Sequence, residues 1–287
     1  MSVRAFLANL SELVAFPHTV FALPFAFIAV LEAASGWPRG QVVLWVLVAM
    51  VGARTAAMAF NRLADLPFDA QNPRTARRPL PSGRLRRAHA WTLVVLGSAA
   101  LVVAAWQLNP LCLALSPVAL AWVLGYSFTK RFTAASHLWL GVGLAMAPVG
   151  GWLAVTGRFA VPPLVLAAAV AFWVAGFDIL YSLQDVEFDR KAGLYSLPAR
   201  WGVGKALAAS RAFHALAALG FALFAALVHA GPIGWVAVLL AWGLLVGQHL
   251  LVGNGGLERI NAAFFTANGV LSLSMLALFS LDIITRP

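Results

Sequence analysis

The segment Pro162–Asp189 reads PPLVLAAAVAFWVAGFDILYSLQDVEFD, and this long apolar run ending in acidic residues decides the fold class. Up to Gln184 the run holds one charged residue, Asp178. About 20 apolar residues are enough to cross a bilayer as a helix. The hydrophobicity is continuous, whereas apolar and polar residues alternate in a membrane β-barrel strand. We therefore predict a transmembrane helix with acids at its end.

The same pattern recurs along the chain. Of its 287 residues, 62% are hydrophobic and 10% are charged, against roughly 45–50% and 25% in soluble domains. This excludes an ordinary soluble protein, and the high hydrophobicity excludes a disordered one. We predict an all-α, polytopic membrane protein with residues 1–287 in one domain. The nine expected spans lie near 14–34, 41–66, 88–107, 110–128, 136–156, 162–184, 205–229, 232–252 and 260–282.

The basic residues predict the orientation of these spans. The net charge is +10, and most of the 20 Lys and Arg residues fall at the N-terminus and in the loops after the even-numbered spans. Cytoplasmic loops collect Lys and Arg. We therefore expect an inner-membrane protein with its N-terminus and these loops in the cytoplasm. Topology explains the basic excess, so we expect no nucleic-acid partner.

Acidic residues are scarce, and most of them lie in or beside two of these loops. The segment 61–83 reads NRLADLPFDAQNPRTARRPLPSG, and 181–191 reads YSLQDVEFDRK. Each contains Asp-x-x-x-Asp, a spacing of one helical turn. Pro67 predicts a helix end or kink within the first pair, Asp65 and Asp69. The second pair, Asp185 and Asp189, is expected on an uninterrupted helix.

Paired carboxylates beside arginines indicate a metal and phosphate site. Like charges one turn apart repel, and Mg²⁺ prefers carboxylate and phosphate oxygens. Basic side chains can bind the phosphate oxygens, and the candidates are Arg74, Arg77, Arg78, Lys130 and Arg131. The alternative is a solvated loop whose arginines only set topology. Each acidic site follows an apolar span and is accompanied by basic residues, so we also expect two pseudo-repeated halves.

These motifs resemble those of the UbiA superfamily of intramembrane aromatic prenyltransferases. The first is similar to its Asn-x-x-x-Asp-x-x-x-Asp motif, beginning at Asn61, and the second to its Tyr-x-x-x-Asp-x-x-x-Asp motif, beginning at Tyr181. The segment 126–131, YSFTKR, resembles the family's basic diphosphate-contacting segment. The resemblance covers essentially the whole chain. Arg62 departs from it, since many members carry Asp directly after the Asn.

The resemblance implies transfer of a polyprenyl group from a polyprenyl diphosphate to an aromatic acid. Mg²⁺ would be the cofactor, and Lys130 would stabilise the leaving diphosphate. Membrane lipid is the remaining expected partner. The metal ligands implied are Asp65, Asp69, Asp185 and Asp189. The implied diphosphate-binding residues are Asn61, Asn72, Arg74, Arg78, Arg131 and Tyr181.

Two quinone precursors are candidates for the acceptor. Segments 16–25 and 176–182 look more like the futalosine-pathway menaquinone branch, which prenylates a dihydroxynaphthoate. The alternative is 4-hydroxybenzoate, the ubiquinone precursor. A rival from another class is an ion-coupled transporter, although its acids are expected near the bilayer midplane.

Three residues are candidates for binding the acceptor. Arg54 lies within a span, where a charge is costly, and shares a helix face with Asn61. It is expected to pair with the acceptor carboxylate or with a structural acid. His18 either polarises the acceptor hydroxyl or packs between helices. Asp178 holds that hydroxyl, pairs with Arg54 or is structural.

Overall fold

The computed structural model describes residues 2–14, 21–255 and 263–286, and these ranges are helical with no strand. Besides α-helices, these ranges contain a 3₁₀ turn at Leu183–Asp185 and a π-helical turn at Ala263–Ala267. The helices are α1 (Val3–Leu13), α2 (Leu23–Ala34), α3 (Gly40–Ala64), α4 (Leu66–Asp69), α5 (Arg87–Leu108), α6 (Pro110–Thr129), α7 (Ser136–Thr156), α8 (Val161–Ser182), α9 (Val186–Lys191), α10 (Leu197–Trp201), α11 (Val203–Leu227), α12 (Pro232–Gly255) and α13 (Asn268–Thr285).

The prediction of an all-α membrane protein is confirmed. Within the described ranges, eight helices are long and apolar enough to cross a bilayer, and α2 is a shorter apolar helix. These correspond to the nine expected spans. The expected first span, 14–34, includes residues 15–20, which lie outside the described residues.

Turn chemistry at the Asn109–Pro110 break shows how the sequence sets a helix boundary. The Asn109 side chain accepts a hydrogen bond from the Cys112 amide at 3.0 Å, which satisfies a free N–H of the first turn of α6. Pro110 occupies a helix start, where a missing N–H costs nothing. The Asn109 amide group also donates to the Leu153 carbonyl at 2.8 Å. One residue therefore starts α6 and ties it to the end of α7.

Helix α8 is the centre of the bundle, which explains its continuous hydrophobicity. Trp173 is fully buried, and its ring contacts those of Phe21, Phe25 and Phe177. Its indole N–H donates to Asn268 Oδ1 at 2.9 Å, so the polar atom of this large side chain is satisfied. Helix α8 thus anchors the second acidic motif in a packed core.

Close approach of α3 and α5 depends on two glycines. A Cβ on Gly52 would lie 2.7 Å from the Gly97 carbonyl oxygen, and a Cβ on Gly97 would lie 2.7 Å from the Gly52 carbonyl oxygen. Small residues at such crossings let helix backbones approach in a membrane. The helix that carries the first motif, α3, therefore packs on α5, as α8 packs on α11 in the second half.

We expect Gly52→Ala to destabilise the protein. Alanine adds helix propensity of about 1 kcal/mol, but its methyl group would overlap backbone atoms of α5, and overpacking costs typically about 1–3 kcal/mol. The net result is a lower thermal unfolding midpoint in detergent. Gly243→Ala is the matched control, since a Cβ on Gly243 meets nothing within 4 Å. Equal midpoints for the two variants would contradict the prediction.

An ion cluster fastens the bundle at the end opposite the acidic motifs. Arg286 pairs with Glu32 at 3.0 Å and with Asp282 at 2.7 Å. Asp282 also accepts hydrogen bonds from the Gly231 and Gly234 amides, each at 3.0 Å. The cluster therefore joins the end of α2, the start of α12 and the end of α13.

Candidate active site

The first acidic pair lies at the end of α3, as Pro67 predicts. Helix α3 ends at Ala64, and the short α4 runs from Leu66 to Asp69. Asn61 donates from Nδ2 to Asp65 Oδ2 at 2.8 Å. Arg78 donates from Nη1 to both oxygens of Asp69 at 2.9 Å. Each carboxylate of the first motif thus has its own partner.

The second acidic pair does not lie on an uninterrupted helix, so that expectation was wrong. The 3₁₀ turn at Leu183–Asp185 separates α8 from α9. Ser182 Oγ donates to the Ile179 carbonyl at 2.8 Å, and such local side-chain bonds compete with the backbone ladder of a helix. The turn brings Asp185 to the first loop, while Asp189 follows on α9.

The first loop reaches across to the second motif. Asn72 donates from Nδ2 to Asp185 Oδ1 at 3.1 Å. Arg74 donates to the same oxygen from Nε at 2.9 Å and pairs with the second oxygen through Nη2. Its Nη1 donates to the Tyr181 hydroxyl at 3.1 Å. Four residues proposed for the site from the sequence therefore meet in one cluster.

Asp189 is the most buried acid of this cluster, and Lys130 faces it. The Lys130 ammonium lies 4.0 Å from Asp189 Oδ2. Asp189 is 2% exposed, and this oxygen has no hydrogen-bond partner among the described residues. Burial lowers the pKa of Lys130, but the nearby carboxylates, Asp189 first, outweigh it and raise the pKa above its ordinary value. The lysine is therefore charged and faces an incompletely satisfied acid.

The donor atoms fit a hard divalent cation. A buried carboxylate oxygen without a partner is costly, and a divalent cation would satisfy the Asp189 oxygen. Within the described ranges no three acidic, His or Cys side chains converge as a ready ligand set. Asp69 and Asp185 are instead held by Arg78 and Arg74. If these arginines bound a phosphate instead, both carboxylates would be released and could hold a metal.

We predict that stabilisation by Mg²⁺ falls below pH about 6. Burial raises the pKa of Asp65 from 3.8 to about 6, and Asp69 adds to the rise. Because the folded pKa is raised, ionisation of Asp65 costs the metal-free fold stability as pH rises through this window. Above pH about 6, Mg²⁺ should offset that cost and raise the thermal unfolding midpoint; well below it, the protonated carboxyl binds Mg²⁺ weakly.

Asp65→Asn is the control for this pH dependence. In the unsubstituted protein, Mg²⁺ should raise the thermal unfolding midpoint more well above pH about 6 than well below it. In Asp65→Asn, the rise should be nearly the same at both pH values. Equal shifts at both pH values in the unsubstituted protein would contradict the prediction.

A large apolar cavity adjoins the acidic cluster. Its volume is about 490 Å³, and residues of α3, α5, α6 and α7 provide most of its lining. Asn61 lines it and also bonds Asp65, so the cavity reaches the first motif. Arg54 and Tyr126 also line the cavity, and Arg54 Nε is buried without a hydrogen-bond partner among the described residues.

The cavity wall between α6 and α7 is braced by two indoles. Trp122 and Trp139 stack with ring centroids 4.1 Å apart. Each indole N–H donates to the other residue's carbonyl, at 3.0 and 3.1 Å. Trp139 lines the cavity. This reciprocal pair holds a flat aromatic surface at the cavity.

Comparison with known proteins identifies the family. The model of the UbiA prenyltransferase family matches residues 22–270. The chain belongs to the UbiA prenyltransferase family. It is therefore an integral membrane enzyme that transfers prenyl groups, and the transporter alternative is set aside.

Relatives and solved structures agree with membership in the UbiA family. A 4-hydroxybenzoate octaprenyltransferase from Tolumonas auensis is 30% identical over 247 residues, covering 83% of each chain. Another from Methylobacillus flagellatus is 33% identical over 164 residues, which span 57% of this chain and 55% of the relative. The apo structure of a UbiA homologue from Aeropyrum pernix K1 is 36% identical with a TM-score of 0.85, covering 92% of this chain and 98% of that one.

A more distant solved structure shares the fold alone. A UbiA homologue from Archaeoglobus fulgidus, bound to DMAPP and Mg²⁺, has a TM-score of 0.75 at 19% identity. The likeness covers 97% of this chain and 100% of that one.

Two residues proposed for the UbiA site have partners of their own. Asp178 pairs with His137 Nδ1 at 2.6 Å rather than with Arg54, and it is not among the residues lining the cavity. Arg131 donates from Nη2 to the Ala64 carbonyl at 2.6 Å, at the end of α3. Their roles in substrate binding stay predictions. His18 lies outside the described residues.

His137 was not singled out in the sequence. It is 1% exposed, and its Nε2 accepts a hydrogen bond from the Leu197 amide at 3.2 Å. That acceptor role requires the proton on Nδ1, which donates to Asp178. The nearby Tyr195 amide donates to the Lys130 carbonyl at 2.7 Å. The second loop is thus connected to the UbiA site through two backbone amides. No pattern in the sequence predicts these two hydrogen bonds.

Proposed function

We propose that this enzyme catalyses Mg²⁺-dependent transfer of a polyprenyl group from a polyprenyl diphosphate to an aromatic hydroxy acid, a step of quinone biosynthesis. The observation that carries the proposal is the apolar cavity beside the acidic cluster, which contains Arg54 with its buried Nε unpaired among the described residues. We further propose the inner membrane as its location, with the acidic motifs at the cytoplasmic face.

The acidic cluster is proposed to bind the diphosphate. Asp65, Asp69, Asp185 and Asp189 would hold Mg²⁺, which neutralises charge on the leaving diphosphate when bound. Arg74 and Arg78 now pair with carboxylates, and guanidinium groups bind phosphate oxygens in the same forked geometry. Both arginines are therefore already at the site and oriented by Asp185 and Asp69.

Lys130 is proposed to assist departure of the diphosphate. Its charged ammonium lies among carboxylates and faces Asp189, the most buried of them. A preorganised cation stabilises negative charge as the allylic C–O bond breaks. The adjoining apolar cavity excludes water that would otherwise quench the allyl cation, and the Trp139 face offers electron density to such a cation.

Arg54 is proposed to bind the acceptor's carboxylate. A guanidinium in an apolar cavity without a counter-ion is costly, and an anionic ligand would relieve that cost. Asn61 joins this cavity to the first motif, so we expect an acceptor bound to Arg54 to extend toward the diphosphate site. The volume, about 490 Å³, suits an aromatic acid with part of a prenyl chain.

The similar proteins named 4-hydroxybenzoate octaprenyltransferase favour 4-hydroxybenzoate as the acceptor. Dihydroxynaphthoate carries the same carboxylate and remains the competing acceptor. Binding through Arg54 accommodates either acid.

The test is an assay of purified protein with geranyl diphosphate and separate aromatic acids, with and without Mg²⁺. We expect a prenylated 4-hydroxybenzoate and diphosphate release only with Mg²⁺. A prenylated dihydroxynaphthoate instead would reassign the acceptor. Product formation that survives chelation of divalent cations would overturn the proposed metal dependence. Replacing the acid with its methyl ester isolates the carboxylate, and an unchanged rate would argue against the role of Arg54.

A further inference from the structure

A second pocket lies on the loop after the second motif, apart from the acidic cluster. Its volume is about 250 Å³, and Arg190, Gly193, Leu194, Tyr195, Ala199 and Arg200 line it. Helix α9 ends at Lys191, and Gly193 has a φ of 69°, a conformation that glycine adopts without strain. The chain therefore doubles back and brings the arginines of α9 and α10 to one pocket.

The two arginines are oriented, and no carboxylate of the described residues pairs with them. Arg190 donates from Nε to the Ala199 carbonyl at 3.2 Å. The Arg200 guanidinium carbon lies 5.5 Å from the centroid of the Tyr195 ring. Neither arginine forms an ion pair with a carboxylate in the part of the chain that the structure describes. Glu187, one turn before Arg190, forms none there either.

The pocket lies at the depth of lipid headgroups. It follows the span Val161–Lys191 and precedes the span Val203–Leu227. Helix α8 alone has 22 residues and is about 33 Å long, which already spans the hydrocarbon core of about 30 Å, so the pocket that follows it lies beyond the core. Trp201 beside the pocket is 56% exposed, and tryptophan is typical of the membrane–water interface.

We propose that this pocket binds a phosphate group, carried by an anionic lipid headgroup or free in solution. Two guanidinium groups, neither paired with a carboxylate of the described residues, present forked donors that match phosphate oxygens. The headgroup depth provides lipid phosphate at high local concentration, and basic residues at this level attract anionic lipids. The inference concerns a site outside the proposed reaction and is independent of it.

The test is a titration of the full chain in detergent with phosphatidylglycerol, reading bound lipid by native mass spectrometry. We expect tighter binding of phosphatidylglycerol than of phosphatidylcholine, and a loss of about fivefold in affinity for Arg200→Gln. A second arm adds inorganic phosphate to the lipid-free protein and reads the thermal unfolding midpoint. A phosphate shift that disappears in Arg200→Gln, with lipid binding unchanged, assigns the pocket to free phosphate.

Controls separate site binding from general charge attraction. Arg158→Gln removes an exposed charge at the opposite face and should leave both readouts unchanged. Arg200 donates no structural hydrogen bond that the structure shows, so its variant should keep the unfolding midpoint measured without ligand. The proposal is overturned if Arg200→Gln changes neither lipid nor phosphate binding, or if Arg158→Gln weakens them equally.

Discussion

Asp189→Asn should abolish most prenyl transfer while the protein remains folded. The carboxylate is buried, and its Oδ2 has no hydrogen-bond partner among the described residues. Asparagine keeps the shape but removes the charge that we propose holds Mg²⁺ and faces Lys130. Loss of one preorganised electrostatic group costs about 100- to 1000-fold in kcat. Steady-state kinetics with saturating substrates measure this loss.

The stability of the same variant distinguishes a catalytic role from a structural one. Asparagine removes the carboxylate nearest to Lys130, so the thermal unfolding midpoint without Mg²⁺ should fall somewhat, but the folded protein should still lose most of its activity. Glu187→Gln is the matched control, because Glu187 is exposed on the same short helix and should retain activity. A large fall in the midpoint of Asp189→Asn, with kcat reduced only in proportion to unfolding, would show a structural acid.

Arg54→Met should raise the KM for the aromatic acid by about 10- to 100-fold, the value of a hydrogen bond to a charged group. The KM for the prenyl diphosphate should change little, because Arg54 lies in the cavity and the diphosphate residues lie in the acidic cluster. Methionine fills a similar volume and removes a charged group whose buried Nε has no hydrogen-bond partner among the described residues, so the fold should be at least as stable.

Two comparisons make the Arg54 experiment specific. Arg211→Met removes another arginine from within a span, but one that is exposed, and it should leave both KM values unchanged. Arg54→Lys keeps the charge without the planar fork and should lose less affinity than Arg54→Met. Equal rises in both KM values for Arg54→Met would indicate a general distortion of the site.

Local patterns predicted the spans and the acidic pairs, because hydrophobic length and one-turn spacing are local properties. Pro67 likewise indicated the break that the structure places between α3 and α4. The 3₁₀ turn before α9 was missed, since no proline or glycine marks it in the sequence. Long apolar stretches showed that Arg54 was unusual, but not that its Nε has no hydrogen-bond partner among the described residues.

Local sequence patterns could not predict contacts between residues that are far apart in the chain. Asn72 and Asp185 are separated by 113 residues, and only the packing of the two halves brings them together. The same holds for His137, whose partners lie on α8 and the second loop. Tyr126 was quoted only as part of a basic segment, although its helix position, one turn before Lys130, could have placed it toward the cavity.

The Arg286 cluster holds the helices together at one end of the bundle, and the acidic motifs lie at the other end. Among the described residues, Glu32, Asp282 and Arg286 bond to one another and to backbone groups, so we expect no competition from substrate for them. At the other end, Arg74 and Arg78 hold carboxylates that the proposed reaction needs. In the proposed reaction, only these salt bridges at the acidic motifs would break and re-form. Helix motion during catalysis would therefore be confined to the end where substrates enter.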